Sequence, residues 1–253
     1  MNDRRKTKVS IVSYPKSGRT WLRVLIGKAL CMRFDLDEQV IFDKQGLAEA
    51  SGFHLSYTHD DAGFHDRQPY TELATDKAFY AKRKVVLLIR APRDVLVSCY
   101  CHLSRRTRTN AFTGSFSEFV RSDVYGIRRL LTFYNIWEGA LPSLPQAALL
   151  RYEDLHADPR HCLRSVLEFI GVPDVPDAIV STAVEYASFG NMKRLEEARR
   201  FESRKMRPGD SEDEESYKVR RGVVDGYRDY LGAEDCRYID QTIAELGCGF
   251  YPR

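Results

Sequence analysis

Apolar residues gather in three short runs along the chain: "VSIV" from Val9 to Val12, "VVLLI" from Val85 to Ile89 and "AALL" from Ala147 to Leu150. Each resembles a buried parallel strand and is followed by polar residues and then by helical periodicity, an order that predicts an α/β sheet. After the first run Trp21, Val24 and Leu25 fall at i, i+3 and i+4, with Lys28 at i+7. The first three therefore share a helix face, and the loop before them opens a helix. After the second run "RAPRDVLVSCYCHL" puts Pro92 near the start and Asp94 in the first turn of another helix. Two strand-to-helix crossings thus bring helix N-termini to the carboxyl edge of a sheet, where open α/β folds bind ligands.

Further along, "FSEFVRSDVYGIRRLLTFYNIWEGAL" and "HCLRSVLEFIGV" read as amphipathic helices, the second ending at Gly171 with Pro173 close behind. Residues 199–221 are highly charged, hold Pro208, Gly209 and the acidic run Glu212 to Glu215, and contain little apolar material to anchor them. The expectation there is a mobile loop over 199–218. No internal repeat is present, and the whole of 1–253 reads as a single domain.

Composition narrows the function classes. With 253 residues and 43% apolar content the chain can bury a substantial core. No apolar stretch approaches the roughly 20 residues that span a bilayer, and the basic start "MNDRRKTKVSIVSYPK" lacks a signal-peptide apolar region. A soluble, cytoplasmic protein with no membrane partner is expected. The six cysteines form no C-x-x-C pair, so reduced structural thiols are expected in place of a zinc site or disulfide framework. Cys99 and Cys101, two apart on the second helix, point to different faces. A net charge of +3 does not imply a nucleic-acid partner, although locally concentrated basic residues suit a small polyanion.

The first loop reads "SYPKSGRTW". Helix N-termini bind phosphate because unpaired backbone amides point along the axis and the dipole is positive there. Gly18 allows close approach of the backbone, Lys16 adds a point charge, and Ser17, Arg19 and Thr20 offer donors. The Walker form needs a glycine before its lysine, and Pro15 stands there instead. That argues against an ordinary nucleotide triphosphatase; a strand-turn-helix with a solvated lysine is the bland alternative. In the second stretch Arg90 ends a strand and Ser98 lies two turns into the following helix. An arginine fork with a hydroxyl suits a second phosphate, with a sheet-edge salt bridge as the structural alternative. Together the stretches describe a ligand with two phosphate-like groups.

These residues resemble the sulfotransferases that use 3′-phosphoadenosine 5′-phosphosulfate (PAPS). "YPKSGRTW" is similar to their 5′-phosphosulfate loop, usually Tyr-Pro-Lys-Ser-Gly-Thr-Thr-Trp, and "RAPRDVLVSCYCH" to their 3′-phosphate segment. "LLRYEDLHADP" resembles their Tyr-Glu-Asp segment, "ASFGNMK" their Ser-Phe-x-x-Met-Lys, and "VRRGVVDGYRDYL" their Arg-Lys-Gly-x-x-Gly-Asp-Trp-Lys segment. The motifs keep the expected order across nearly the whole chain. The resemblance implies a P-loop-like fold with a central parallel sheet flanked by helices, and PAPS as co-substrate with no metal.

It also implies roles. Lys16 would contact the bridging oxygen between sulfonate and phosphate, Ser17, Gly18, Arg19 and Thr20 would hold the 5′-phosphate, and Trp21 would stack on adenine. Arg90, Ser98, Arg220, Arg221 and Gly222 would hold the 3′-phosphate. Tyr152 would reach the adenine, with Ser188, Phe189 and Met192 lining its pocket. "YTHDDAG" is similar to the family's Lys-Thr-His-Leu-Pro, which makes His59 the expected general base, with Asp60 or Asp61 as the carboxylate alternative. Two departures stand out: Tyr57 occupies the place of that segment's lysine, and Arg19 that of the loop's first threonine. The acceptor is expected to be a small molecule or a carbohydrate. A family dimerisation motif is not evident, so oligomeric state is open. A nucleotide kinase and a non-catalytic nucleotide-binding protein are the rival readings.

Overall fold

The three apolar runs fold as β1 (Lys8–Ser13), β3 (Lys84–Ile89) and β4 (Ala147–Arg151), and a fourth strand, β2 (His54–Thr58), joins them. The computed structural model describes residues 8–65, 67–107, 111–203 and 206–252. The basic N-terminal start and residues 204 and 205 of the charged segment lie outside these. All pairings are parallel, in the order β2-β1-β3-β4, with Ile11 opposite Tyr57 on one side and Val86 on the other.

Helices α1 (Arg19–Phe34), α2 (Lys44–Ser51), α3 (Pro92–Cys101), α4 (Phe116–Arg121) and α5 (Ile127–Ala140) are followed by α6 (Tyr152–Ala157) and α7 (Pro159–Ile170). After these come α8 (Asp177–Tyr186), α9 (Phe189–Glu197) and α10 (Ala233–Leu246). Strand side chains alternate between two cores. Val9, Ile11, Val86 and Leu88 pack with Leu22 and Leu25 of α1, Val166 of α7 and Val180 of α8. Val12, Val85, Leu87 and Ile89 pack on the opposite face with Val95 of α3 and Leu130, Tyr134 and Trp137 of α5. Covering both faces is what a parallel sheet requires, since each fully buried aliphatic or aromatic side chain contributes roughly 1.5–3 kcal/mol. The chain leaves β1 toward β2 on one side and returns to β3 on the other. The carboxyl ends of β1 and β3 therefore flank the switch point at which open sheets bind ligands.

One expectation is corrected here. The single helix read from Phe116 onward is two, because Ser122 ends the first: its Oγ accepts from Val124 N at 3.2 Å and its carbonyl from Gly126 N at 2.8 Å. Such local bonding by serine competes with the helical ladder. The charged segment is better anchored than its composition suggested. Phe201 and Met206 are fully buried, Phe201 lies edge-on to Phe42 at 4.8 Å, and Ser216 is buried and bonded to Asp210. Two apolar side chains of a segment whose average composition is polar are thus buried. Among the described residues no helix is long and apolar enough to cross a membrane.

Candidate functional site

The turn after β1 is shaped for an anion. Lys16 and Gly18 both adopt left-handed backbone conformations (φ 67° and 96°) before α1 begins at Arg19. For a lysine this costs on the order of 1 kcal/mol, a strain that persists where the surroundings enforce it. Gly18 cannot be replaced without movement, since a Cβ there would lie 2.6 Å from the Tyr152 ring. No acidic residue occupies the first turn of α1. The positive end of the helix dipole, its unpaired amides and Arg19 thus face the same way without a compensating carboxylate.

Arg90, at the end of β3, ties neighbouring parts together. Its guanidinium lies 4.2 Å over the Tyr152 ring, donates to Val223 O at 3.1 Å and reaches Lys16 O at 3.4 Å. Asp94, in the first turn of α3, accepts from Asp225 N at 2.9 Å and Tyr227 N at 3.0 Å, and pairs with Arg90 at 3.6 Å. The C-terminal turn is thereby pulled against the switch point. Gly222 (φ 64°) sits so close to Phe189 that a Cβ would come within 2.3 Å of its ring. Arg221 pairs with Asp229 at 2.6 Å, while Arg220 bonds Glu215 at 2.9 Å and also Tyr230. Beside this turn Trp21 donates to Ala187 O at 2.9 Å and stands edge-on to Tyr152 at 5.6 Å. His156, bonded to Gly222 O at 2.9 Å, lies 6.3 Å from the same indole. These rings make an aromatic wall suited to a flat base.

The inner end of the site gathers cations. His59 follows β2 directly; its Nδ1 bonds Ser13 O at 2.8 Å and its Nε2 lies 2.7 Å from Arg19 Nη2. A carbonyl only accepts and a guanidinium only donates, so Nδ1 carries the proton and Nε2 presents its lone pair to Arg19. Burial first and Arg19 second hold His59 well below the ordinary imidazole range. Burial, then Arg106, lowers Lys16 to about 8. Burial, then Lys16, depresses both Lys218 and His102. Arg19 keeps one further buried nitrogen, Nη1, with no partner among the described residues.

Asp60 faces elsewhere. It accepts from Tyr80 OH at 2.8 Å and Trp137 Nε1 at 2.9 Å and pairs with Lys77 at 2.8 Å. Its carboxylate is committed to the core beneath α5, and neither it nor the exposed Asp61 borders the cavity. Tyr57 is likewise occupied, its ring 4.8 Å beneath the Arg23 guanidinium.

One cavity of about 450 Å³ joins these surfaces. Lys16, Gly18, Arg19, Thr20, Trp21, His59, Arg90, Ser98, Tyr152, Phe189, Met192, Arg220, Arg221 and Gly222 all border it, which brings together nearly every residue singled out from the sequence. Ser17 is fully buried beneath the loop and Ser188 is exposed ahead of α9, so neither reaches the wall. Sequence reading missed Lys218, His102 and Asp94 as wall residues. His102 enters on a π-type turn at 102–106, where Thr107 N bonds His102 O at 3.2 Å. Such turns recur at functional sites but carry no sequence signature. Lys218 sits two residues before the basic pair, inside the charged segment, where composition gives it no distinguishing signal.

Three comparisons bear on this geometry. A family model described as a sulfotransferase domain matches residues 6–247. The chain is 25% identical to a flavonol 4′-sulfotransferase of Flaveria chlorifolia, over 94% of this chain and 78% of that protein. It is 26% identical to a 3-beta-hydroxysteroid sulfotransferase of Cavia porcellus, over 96% of this chain and 84% of that one. Among solved structures it shares the fold of a mouse sulfotransferase complexed with 3′-phosphoadenosine 5′-phosphate (PAP), with a TM-score of 0.65 and 21% identity over 96% and 84% of the two chains.

Proposed function

The chain belongs to the sulfotransferase domain family, and from that premise we infer that it transfers a sulfonate group from PAPS to a hydroxyl or amine of an acceptor, releasing PAP. The observation that carries the site assignment is that one cavity collects Lys16, Arg90, the Arg220–Gly222 turn and His59. The donor's two anionic groups match its two basic ends, and the fit is supported by Arg19, whose Nη2 meets His59 and whose buried Nη1 has no partner among the described residues. Lys16 and the first turn of α1 take the phosphosulfate. Arg90, Ser98, Arg220, Arg221 and Gly222 take the 3′-phosphate, with Trp21, Tyr152, Phe189 and Met192 around the adenine.

In the reaction the acceptor oxygen bonds to sulfur while the bond from sulfur to the 5′-phosphate oxygen breaks. The electron pair and its charge go to that phosphate oxygen, so a cation beside it binds the transition state more strongly than the ground state. Lys16 is that cation. The acceptor's proton goes to His59 Nε2, whose lone pair is fixed by the bond from Nδ1 to Ser13 O. For this Arg19 must first leave Nε2, and the anionic donor is the group that draws the guanidinium away. The commitment of Asp60 to Tyr80, Trp137 and Lys77 favours His59 over a carboxylate base.

The acceptor is read as a small molecule with an apolar body. Gly63, Phe64, Leu103 and Thr107 border the same cavity as His59, and related chains carry the names of flavonol and steroid sulfotransferases. Incubation with PAPS and a panel of phenols, steroid alcohols, sugars and amines tests the reading. PAP release that depends on an acceptor is expected, together with tight binding of PAP and weak binding of ATP. Preference for ATP over PAP would overturn it in favour of a kinase, and PAP binding without turnover on any acceptor would favour a non-catalytic protein.

A further inference from the structure

Lys218 is a cavity cation that no motif accounts for. It arrives on the segment after α9 and borders the cavity with Lys16, Arg19, His59 and His102. Its backbone is pinned: Lys218 N and Val219 N donate to the two oxygens of Glu196 at 2.6 and 2.9 Å. Glu196 is wholly buried on α9 and also meets Arg106 at 3.5 Å. The nearest carboxylate is therefore engaged by backbone amides and by a different cation. Among the described residues no hydrogen bond or ion pair engages the Lys218 ammonium.

A cation held beside another ammonium and a guanidinium, without an acid of its own, costs the fold stability that an incoming anion can restore. The strong depression of Lys218 by burial and then by Lys16, Arg106 and Arg19 agrees with this. Its place in the cavity identifies which anion. Lys218 feels Lys16 and Arg19, and its own charge is felt by His59 and His102. It borders the same cavity as Lys16, the cation assigned to the leaving oxygen, and His59, the base assigned to the acceptor, and the group that passes between those two is the sulfonate.

Resting on the PAPS reading above, we propose that Lys218 is a further catalytic residue, whose ammonium holds the peripheral oxygens of the sulfonate during transfer. The bond from the acceptor oxygen to sulfur forms, the bond from sulfur to the phosphate oxygen breaks with its electron pair going to PAP, and the proton goes to His59. Lys218 keeps its own protons throughout and stabilises charge on the oxygens that travel with sulfur. Glu196 is a positioning residue that aims the segment.

PAP lacks the sulfonate, which makes the test independent of any acceptor. Dissociation constants of PAP and PAPS are measured for the wild-type protein, Lys218→Ala and Lys218→Arg. Lys218→Ala should weaken PAPS by about tenfold or more, as expected on losing one charge-assisted bond, while PAP changes by less than about threefold. Lys218→Arg should recover most of the PAPS loss. With an acceptor that the wild-type protein uses, turnover of Lys218→Ala should fall by about 10²-fold or more. Equal weakening of PAP and PAPS would make Lys218 a phosphate or structural group and overturn the assignment. Unchanged binding of both would overturn it also. Failure of the wild-type protein to bind PAP at all is a different result, which overturns the donor reading and this assignment with it.

Discussion

The rim of the cavity around Arg90 and Asp94 and its inner end around Lys16 and His59 are both rich in charge, yet they treat it in opposite ways. On the rim each charge has a partner within the protein: Arg90 with Asp94, Asp94 with two backbone amides, Arg220 with Glu215, Arg221 with Asp229. At the inner end burial first depresses Lys16, Lys218, Arg19, His59 and His102, and neighbouring cations add to it, Arg106 at Lys16, Lys16 at Lys218 and His102, Arg19 at His59, while Glu196 is engaged by two backbone amides and Arg106. The rim holds its shape by itself. The inner end is balanced only when a ligand brings negative charge, and it is there that the proposed mechanism moves charge.

Lys16 should break the inner end most severely. Lys16→Ala is expected to cut turnover by about 10³-fold, since removing one donor to developing charge typically costs 10²–10³. It should also weaken PAP, because the 5′-phosphate is anionic in the ground state as well. Steady-state kinetics beside calorimetry would separate the two effects; a change in KM alone would mean that Lys16 only binds.

His59→Ala should lower turnover by about 10²-fold or more while leaving PAP affinity nearly intact, because a general base acts on the acceptor. The pH profile sharpens this. An ordinary imidazole would give a limb near 6.5, but in the free protein burial and Arg19 hold His59 well below that range. A lowered pKa keeps the neutral, proton-accepting form populated to lower pH, so kcat/KM should not rise through 6.5. A limb that stays near 6.5 would argue against the bond between Arg19 and His59.

The rim should discriminate ligands more than it changes rates. PAP should bind more than about tenfold tighter than AMP, because two charge-assisted contacts to the 3′-phosphate are lost together. Equal affinities would remove Arg90, Ser98, Arg220 and Arg221 from the clamp.

The same contrast explains what could be read from the chain. The rim and the loop were legible because they rest on local signals: apolar runs for β1, β3 and β4, Pro92 and Asp94 at a helix start, and Gly18 where a ring leaves no room for a Cβ. β2 escaped notice because it is a five-residue edge strand with a single fully buried side chain, Leu55, and so lacks an apolar run. The break between α4 and α5 turned on the side chain of Ser122, which no periodicity registers. Lys218 and His102 were invisible for a different reason. Tertiary folding alone brings them to Lys16, one through the bonds of Glu196 to the backbone and the other through a π-type turn. Anchoring of the charged segment by Phe201 and Met206 was hidden in the same way, since composition averages over the two residues that matter.

Proton uptake on binding PAP tests the unbalanced inner end most directly. In the free protein Lys16 is held near 8 by burial and then Arg106. The arriving phosphate favours the charged form and raises that value, so at pH 8 the complex holds more protons than its parts. Calorimetric titrations at pH 8 in two buffers of different ionisation enthalpy should therefore give a net uptake approaching about half a proton. With the sign fixed in this way, PAP affinity should be level below pH 8 and fall above it, by up to about tenfold at pH 9. Lys16→Met should lose most of the uptake. Binding of PAP with no proton uptake at pH 8, and with affinity unchanged from pH 7 to 9, would contradict the account.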